Sequence, residues 1–290
     1  MSQNVYHEIV ITNNHRSSNQ NADIWTVARA TQLLSSADEV VVQIARRQLR
    51  DTSKRPGPPS PTRRHRWTAK LLNAPVQGRV ARGQDLDKST KDLARLQSSR
   101  SGLSFNAWSY WAKLRTNGLA VREAPVRLPQ KKLCRRCRLT TETTSHVIST
   151  CPVHLPEMTG RHDRVQTILM DLLWDLGIKA VPNTRPAKDD RAVPDVTVTR
   201  EMTPVYIDVT VPFDEPANLH RAGQDKRDKY SHLGTVLPLV VGALGSWLPE
   251  NDAIRTTFNI PHRRWNAARL RMRASTIEDS CGLARGFLHL

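Results

Sequence analysis

Val193-Pro194-Asp195-Val196-Thr197-Val198, then Pro204-Val205-Tyr206-Ile207-Asp208-Val209-Thr210-Val211, then Asp225-Lys226-Arg227-Asp228-Lys229-Tyr230: these segments decide the fold. The first two alternate apolar and polar residues, the pattern of a strand with one buried face. Val196 and Val198 point one way; Asp195, Thr197 and Thr199 point the other. Val205, Ile207, Val209 and Val211 likewise oppose Tyr206, Asp208 and Thr210. A hairpin with Arg200 to Thr203 as its loop sets Thr199 opposite Pro204, and the same register sets Asp195 opposite Asp208. Directly paired side chains lie roughly 4.5–5.5 Å apart at Cβ. Two like charges that close destabilise a sheet unless a cation lies between them.

Lys226 extends this pattern. From Pro216 to Leu233 the apolar stripe runs through Leu219, Ala222, Tyr230 and Leu233 at helical spacing, and Lys226 falls in its middle. An unpaired ammonium is costly to bury. Two readings fit. Either Lys226 is a solvated lysine on a mostly charged helix, or it faces the carboxylate pair, a metal and a phosphate. On the second reading an apolar replacement at 226 packs at least as well, and Lys229 lies towards the stripe's edge.

Upstream, Cys134, Cys137, His146 and Cys151 give C-x2-C-x8-H-x4-C. Three thiols and one imidazole make a closed tetrahedral structural zinc site. His154 is the reserve ligand, and Cys281 is expected to be an ordinary semi-buried thiol. The basic flanks, Arg135 and Arg136 among them, suit nucleic acid.

Together these motifs resemble the C-terminal part of the Pol polyprotein of R-two-type site-specific non-LTR retrotransposons, which insert into ribosomal RNA genes. The residues that carry the resemblance are Arg115-Thr116-Asn117-Gly118-Leu119-Ala120, the four zinc ligands, Pro194-Asp195, Asp208 and Lys226-Arg227-Asp228-Lys229-Tyr230, in that order. It covers Trp108 to Leu233 well, and Ile24 to Asn73 is similar to the helical thumb after the polymerase. The resemblance implies a CCHC zinc knuckle followed by a restriction-like PD-(D/E)xK endonuclease. Its lysine sits on the following helix, where Lys226 is, and Thr210 occupies the usual lysine position. It implies nicking of target DNA to expose a 3′-hydroxyl that primes reverse transcription of the element's RNA in the nucleus. It also implies an upstream reverse transcriptase. The polymerase hallmark is an aromatic residue, any residue and two aspartates; the Asp-Asp here, Asp189-Asp190, follows Ala187-Lys188. The chain is therefore expected to be a fragment of a longer polyprotein that does not polymerise alone. On this reading Asp195 and Asp208 hold Mg²⁺, Lys226 is catalytic, and Arg115, Asn117, Arg122, Arg135 and Arg136 contact nucleic acid. The alternative is a non-catalytic zinc-knuckle remnant that only binds nucleic acid; intact Asp195, Asp208 and Lys226 argue against it.

The charge supports a polyanionic partner. The 290-residue chain has net charge +17. Before Cys134 there are 23 basic and 9 acidic residues, net +14; from Cys134 onward there are 21 and 18, net +3. Met1 to Gln20 is polar, without a secretory core, and no run approaches about 18 apolar residues.

The expected organisation is a thumb-like helical region and basic Pro-rich linker over 1–66, a helical basic linker over 67–132, the knuckle over 133–155, and the endonuclease over 156–290. Ser36-x-x-Glu39 caps a helix over Ala37 to Leu49. Arg46 to Arg66, with eight Lys and Arg residues and four prolines, reads as an extended linker. Trp67 to Leu72 and Thr90 to Leu96 read as short helices. Phe105 to Leu114 reads as a helix packed through Trp108, Trp111 and Leu114. Arg161 to Leu176 is an amphipathic helix ended by Gly177. Strands are expected at Ile178 to Val181 and Thr235 to Ala243, and a basic helix at Pro261 to Ile277. The fold class is α/β: a restriction-endonuclease-like core, a mixed sheet flanked by helices.

Overall fold

The computed structural model describes residues 61–75, 78–85, 103–122, 132–186, 193–200 and 203–289, together with Gln43. The chain divides into compact units Met1–Trp67 and Thr68–Leu290. In the first, Gln43 is helical and exposed. The rest of the capping-box helix, the helix expected at Thr90 to Leu96, and Asp189-Asp190 lie outside the described residues. The expected extended linker ends earlier than Arg66, because helix α1 (Pro61–Asn73) begins at Pro61. Proline suits a first helical position, where its missing N–H has no intrahelical partner to lose.

In the second unit α2 (Gly78–Asp85), α3 (Phe105–Arg115) and the short α4 (Thr144–Ser149) precede the 21-residue α5 (Leu155–Asp175). Strands β1 (Ala180–Pro182), β2 (Val196–Arg200) and β3 (Thr203–Thr210) follow, then α6 (Pro216–Lys229) and β4 (Thr235–Val240). Helices α7 (Asp252–Thr257) and α8 (His262–His289) close the chain. The sheet order is β1-β2-β3-β4. β2 pairs antiparallel with β1 and β3, and β3 pairs parallel with β4. The architecture is α/β with a four-stranded mixed sheet. The parallel pair needs a crossover, and α6 supplies it. Pro238 is tolerated because β4 is an edge strand.

The hairpin takes the register read from alternation, with Thr199 opposite Pro204 and Val196 opposite Ile207. Its loop is tighter than expected, since Arg200 and Thr203 themselves pair. The expectation of one buried face per strand fails for β3, where Val205 to Val209 are all buried. The reason is that helices cover both faces. Val196, Val198, Ile207 and Val209 pack with Val165, Leu169 and Leu173 of α5 and with Trp265 and Met272 of α8. On the other face α6 packs against β3 and β4, placing Leu219 against Val240 and Leu248.

A separate apolar cluster joins three regions distant in sequence. Ala107, Trp111 and Leu114 of α3 meet Cys134, Val147, Ile148 and Cys151 of the cysteine-rich segment and Ile277, Cys281, Ala284 and Phe287 of α8. The α3 stripe is therefore core, as its spacing indicated. α8 runs twelve residues past the expected end at Ile277, and Cys281 is fully rather than semi-buried. The Leu244 carbonyl accepts from Trp111 Nε1 at 2.9 Å and Gln84 Nε2 at 3.0 Å, docking α3 and α2 on one loop. Buried Asp214 shapes that loop by accepting from the N–H groups of Leu244 and Ser246 at 2.5 and 2.7 Å. At Gly242 a Cβ would lie 2.3 Å from Asp214 Oδ1, so a side chain there collides with this anchor.

Candidate functional site

At the open end of the hairpin, α6 and α5 bring charged side chains to the sheet. Asp208 projects from β3 and is fully buried. Its Oδ2 pairs with Lys226 Nζ, whose side chain is 25% exposed. The helical phase of Lys226 is thus the one read from the stripe, and its ammonium is compensated rather than solvated. Asp195 precedes β2. Its N–H donates to Asp208 Oδ1 at 3.3 Å, and its own Oδ2 accepts from the Val209 N–H at 2.7 Å. Asp195, Asp208 and Lys226 therefore form one linked cluster. Tyr230 closes it from below: buried at the end of α6, it donates through its hydroxyl to the Val193 carbonyl at 3.0 Å, two residues before Asp195. Lys229 instead donates to the Tyr230 hydroxyl at 2.7 Å.

His162 completes the cluster and was not anticipated. Its Nε2 lies 3.0 Å from Asp195 Oδ2 and its Nδ1 3.1 Å from Asp163 Oδ1. The hydrogen bond to Asp195 is the main reason its pKa is raised to about 9, against partial burial. One turn on, Gln166 Nε2 donates to the Asp195 carbonyl at 2.5 Å and to Asn183 Oδ1 at 3.2 Å. A polar His and Gln at i, i+4 beside the Val165 and Leu169 stripe was the available sequence signal.

The cysteine-rich segment forms a second site. A bridge between Leu133 and Thr141 carries Cys134 and Cys137 in its turn, and α4 carries His146 just before Cys151. Thr143 caps α4 by accepting from the His146 N–H at 2.9 Å. One ligand atom from each of Cys134, Cys137, His146 and Cys151 lies within 4.8 Å of every other, so the group could hold a metal ion. Tetrahedral zinc with Zn–S of about 2.3 Å sets S···S edges of about 3.8 Å. Cys134 Sγ and Cys151 Sγ stand 4.0 Å apart. His146 turns Nε2 to Cys137 Sγ at 3.3 Å, while Nδ1 meets Thr140 Oγ1 at 3.0 Å. An outer partner on the second ring nitrogen is the usual way a ligating histidine is oriented. His154 stays outside the cluster, 3.7 Å from Glu157 and edge-on to Phe287.

No family model matches the chain. It is 28% identical over 223 residues to a "Retrovirus-related Pol polyprotein from type-1 retrotransposable element R2" of Popillia japonica. The chain's curated homologues are R2 retrotransposon Pol polyproteins. The match covers 67% of this chain and 46% of that relative. A second R2 polyprotein of the same organism is 27% identical over 207 residues, 66% of this chain and 28% of the relative. The chain thus spans about half the length of one R2 relative and about a quarter of the other.

In this R2-related chain the basic residues read as nucleic-acid contacts have internal partners. Arg135 pairs with the fully buried Glu142 at 2.6 Å, donates to the Ala120 carbonyl at 3.0 Å, and lies over the Phe287 ring at 5.1 Å. Arg136 donates to the Phe287 carbonyl at 3.0 Å. Arg115 stacks on Trp111 at 4.6 Å, and burial lowers its pKa. Arg122 is exposed, yet donates to the Leu133 carbonyl at 3.0 Å and through its N–H to Glu142. Asn117 has φ of 54°, a turn conformation Asn tolerates, and follows α3. The charged flanks of the cysteines thus tie that segment to its own core. Among the described residues no helix is long and apolar enough to cross a membrane.

Proposed function

We propose that this chain is the zinc-knuckle and endonuclease portion of an R2-type polyprotein, a Mg²⁺-dependent nuclease that nicks target DNA. The observation that carries the reading is the ion pair between buried Asp208 and Lys226, with Asp195 hydrogen-bonded beside it. A fully buried carboxylate that pairs with a lysine and accepts from the backbone N–H of a second aspartate is an unusual expense for a purely structural hairpin. The donor set suits the metal: Mg²⁺ takes one or two carboxylates plus water and substrate phosphate oxygens. Asp195 and Asp208 would hold it; when bound it supplies an activated water and neutralises charge on the phosphate. Lys226, already aimed at this point, places a cation where negative charge develops in the transition state. Tyr230 anchors the segment that leads into Asp195 by donating to the Val193 carbonyl. The mixed sheet flanked by helices suits a restriction-endonuclease-like core.

Cys134, Cys137, His146 and Cys151 would hold a structural zinc. The exposed 3′-hydroxyl would prime reverse transcription of the element's RNA by an upstream reverse transcriptase. The target DNA would be a ribosomal RNA gene, reached in the nucleus. These roles follow from the R2 relationship together with the site chemistry.

The test is nicking of supercoiled DNA by the purified chain. Wild type should nick with Mg²⁺ and stop with chelator. Asp208→Asn, which keeps the shape of the buried side chain, should lose nicking while DNA binding stays within a few-fold. Undiminished Mg²⁺-dependent nicking by a folded Asp208→Asn protein sinks the active-site assignment.

A further inference from the structure

We propose that His162 and Gln166, one turn apart on α5, are positioning residues that grip Asp195 at both ends and aim its free oxygen at the catalytic metal. The proposal rests on the reading of Asp195 as a metal-holding carboxylate. Asp195 lies outside the regular strand, in the bend before β2, so the ladder alone does not fix it. Its side chain is held instead by donors from two elements. An ionised carboxylate only accepts, so the His162 Nε2 contact at 3.0 Å is a donation to Oδ2. The Val209 N–H donates to the same oxygen at 2.7 Å. Its main chain is held as firmly: the carbonyl accepts from Gln166 Nε2 at 2.5 Å and from the Asn183 N–H at 3.0 Å. Among the described residues nothing donates to Asp195 Oδ1. One oxygen is thus saturated and the other left open, the arrangement a monodentate ligand requires.

The grip is also stiff. Asp163 Oδ1, 3.1 Å from His162 Nδ1, fixes the imidazole plane from the far side. Gln166 is buried, and Asn183 Oδ1 accepts from its amide at 3.2 Å. Val165 and Leu169, fully buried beside them, seat α5 on the sheet. A rigid helix therefore sets the carboxylate's direction before any cation arrives. Hydrogen-bond partners of ligating carboxylates are worth about 10–100-fold in metal affinity or activity.

The experiment measures Mn²⁺ binding to the purified DNA-free chain by electron paramagnetic resonance. Wild type, Asp195→Asn, His162→Ala, His162→Gln and Gln166→Ala are compared, with thermal melts in chelator as the fold control. A glutamine amide nitrogen reaches about as far as an imidazole Nε2, so His162→Gln keeps the donor. The expected result is about 10–100-fold weaker Mn²⁺ binding in His162→Ala and in Gln166→Ala, with His162→Gln restoring most of it. In the nicking assay His162→Ala should regain turnover as Mg²⁺ is raised, at unchanged KM for DNA. A residue that only stabilises the fold would not respond to Mg²⁺ in this way. If Asp195→Asn weakens Mn²⁺ binding while His162→Ala and Gln166→Ala bind like wild type or more tightly, the positioning role is overturned and the site reading stands. If Asp195→Asn binds as wild type does, both fall together. Should His162→Ala fail to fold, His162→Gln against Gln166→Ala decides: both tight, or both equally weak, refutes the grip.

Discussion

Replacing Lys226 by methionine tests the central ion pair, and the structure fixes the sign of its effect on stability. Sequence alone treats Lys226 as a poorly solvated charge whose removal does no harm. Its actual partner is Asp208, which has no exposed side-chain surface. Removing the lysine strands a buried carboxylate, and breaking a fully buried pair from one side costs about 3–5 kcal/mol. Lys226 is one-quarter exposed, so water reaches the pair from the lysine end. That reduces the expected loss to about 2–3 kcal/mol. Asp208→Asn alone leaves the ammonium without its counterion, but the lysine can swing towards solvent, so about 1–2 kcal/mol is expected. The double variant strands neither charge and should be at least about 1 kcal/mol more stable than the two losses predict. Urea denaturation of all four proteins, read by tryptophan fluorescence, supplies the cycle. Additive losses, with coupling below about 0.5 kcal/mol, would refute the pair as a source of stability. Nicking is the separate readout: Lys226→Met should lose at least about a hundredfold in rate. Lys229→Met should lose less, because Lys229 is committed to the Tyr230 hydroxyl. A dead Lys229→Met beside an active Lys226→Met reassigns the catalytic lysine.

Three further outcomes follow from other parts of the molecule. Protein purified without chelator should carry about one zinc per chain, and Cys137→Ser should lose it. Because the cysteine-rich segment shares a core with α3 and the end of α8, hydrogen exchange should then rise around Ile277 to Phe287 as well; protection unchanged there disproves the coupling. For His162, a folded-state pKa of about 9 exceeds its ordinary 6.5. Its contribution, on the order of 2–3 kcal/mol in metal-free protein, is complete below pH 6.5 and is lost as pH rises through about 9. Melting temperatures across that window should fall in wild type and fall less in His162→Gln; parallel curves would contradict the assignment. Trp111→Ala should cost about 3–5 kcal/mol by chemical denaturation, since it empties a buried site and removes a donor to the Leu244 carbonyl. A loss under about 1 kcal/mol would show the site collapses freely.

What could be read from the chain depended on whether the signal was local. Alternation fixed the hairpin register because a one-residue slip turns every side chain over. The stripe of α6 placed Lys226 because helical phase is set within two turns. Cys134, Cys137, His146 and Cys151 converge because their spacing suits a turn followed by a short helix. Partners distant in sequence were not legible. Asp195 meets His162 across 33 positions and Arg136 meets Phe287 across 151. Even at seven positions' separation, nothing in the spacing announced Glu142 as the buried acceptor of Arg135. The end of α8 was missed because Gly282 and Gly286 are poor helix residues, overridden here by burial of Cys281, Ala284 and Phe287.

The Leu244 carbonyl, with its two donors Gln84 Nε2 and Trp111 Nε1, bears on how such a polypeptide can be cut and recombined. A shortened chain starting at the first zinc cysteine would keep every residue of both candidate sites. It would also open the slot filled by Trp111, strip that carbonyl of both donors, and lay bare the apolar side of α8 along Ile277, Cys281 and Ala284. Solubility should therefore fail before chemistry does. The minimal portable unit begins upstream of Gly78, and the cysteine-rich segment cannot be swapped between relatives without α3 and the tail of α8 that it was shaped against.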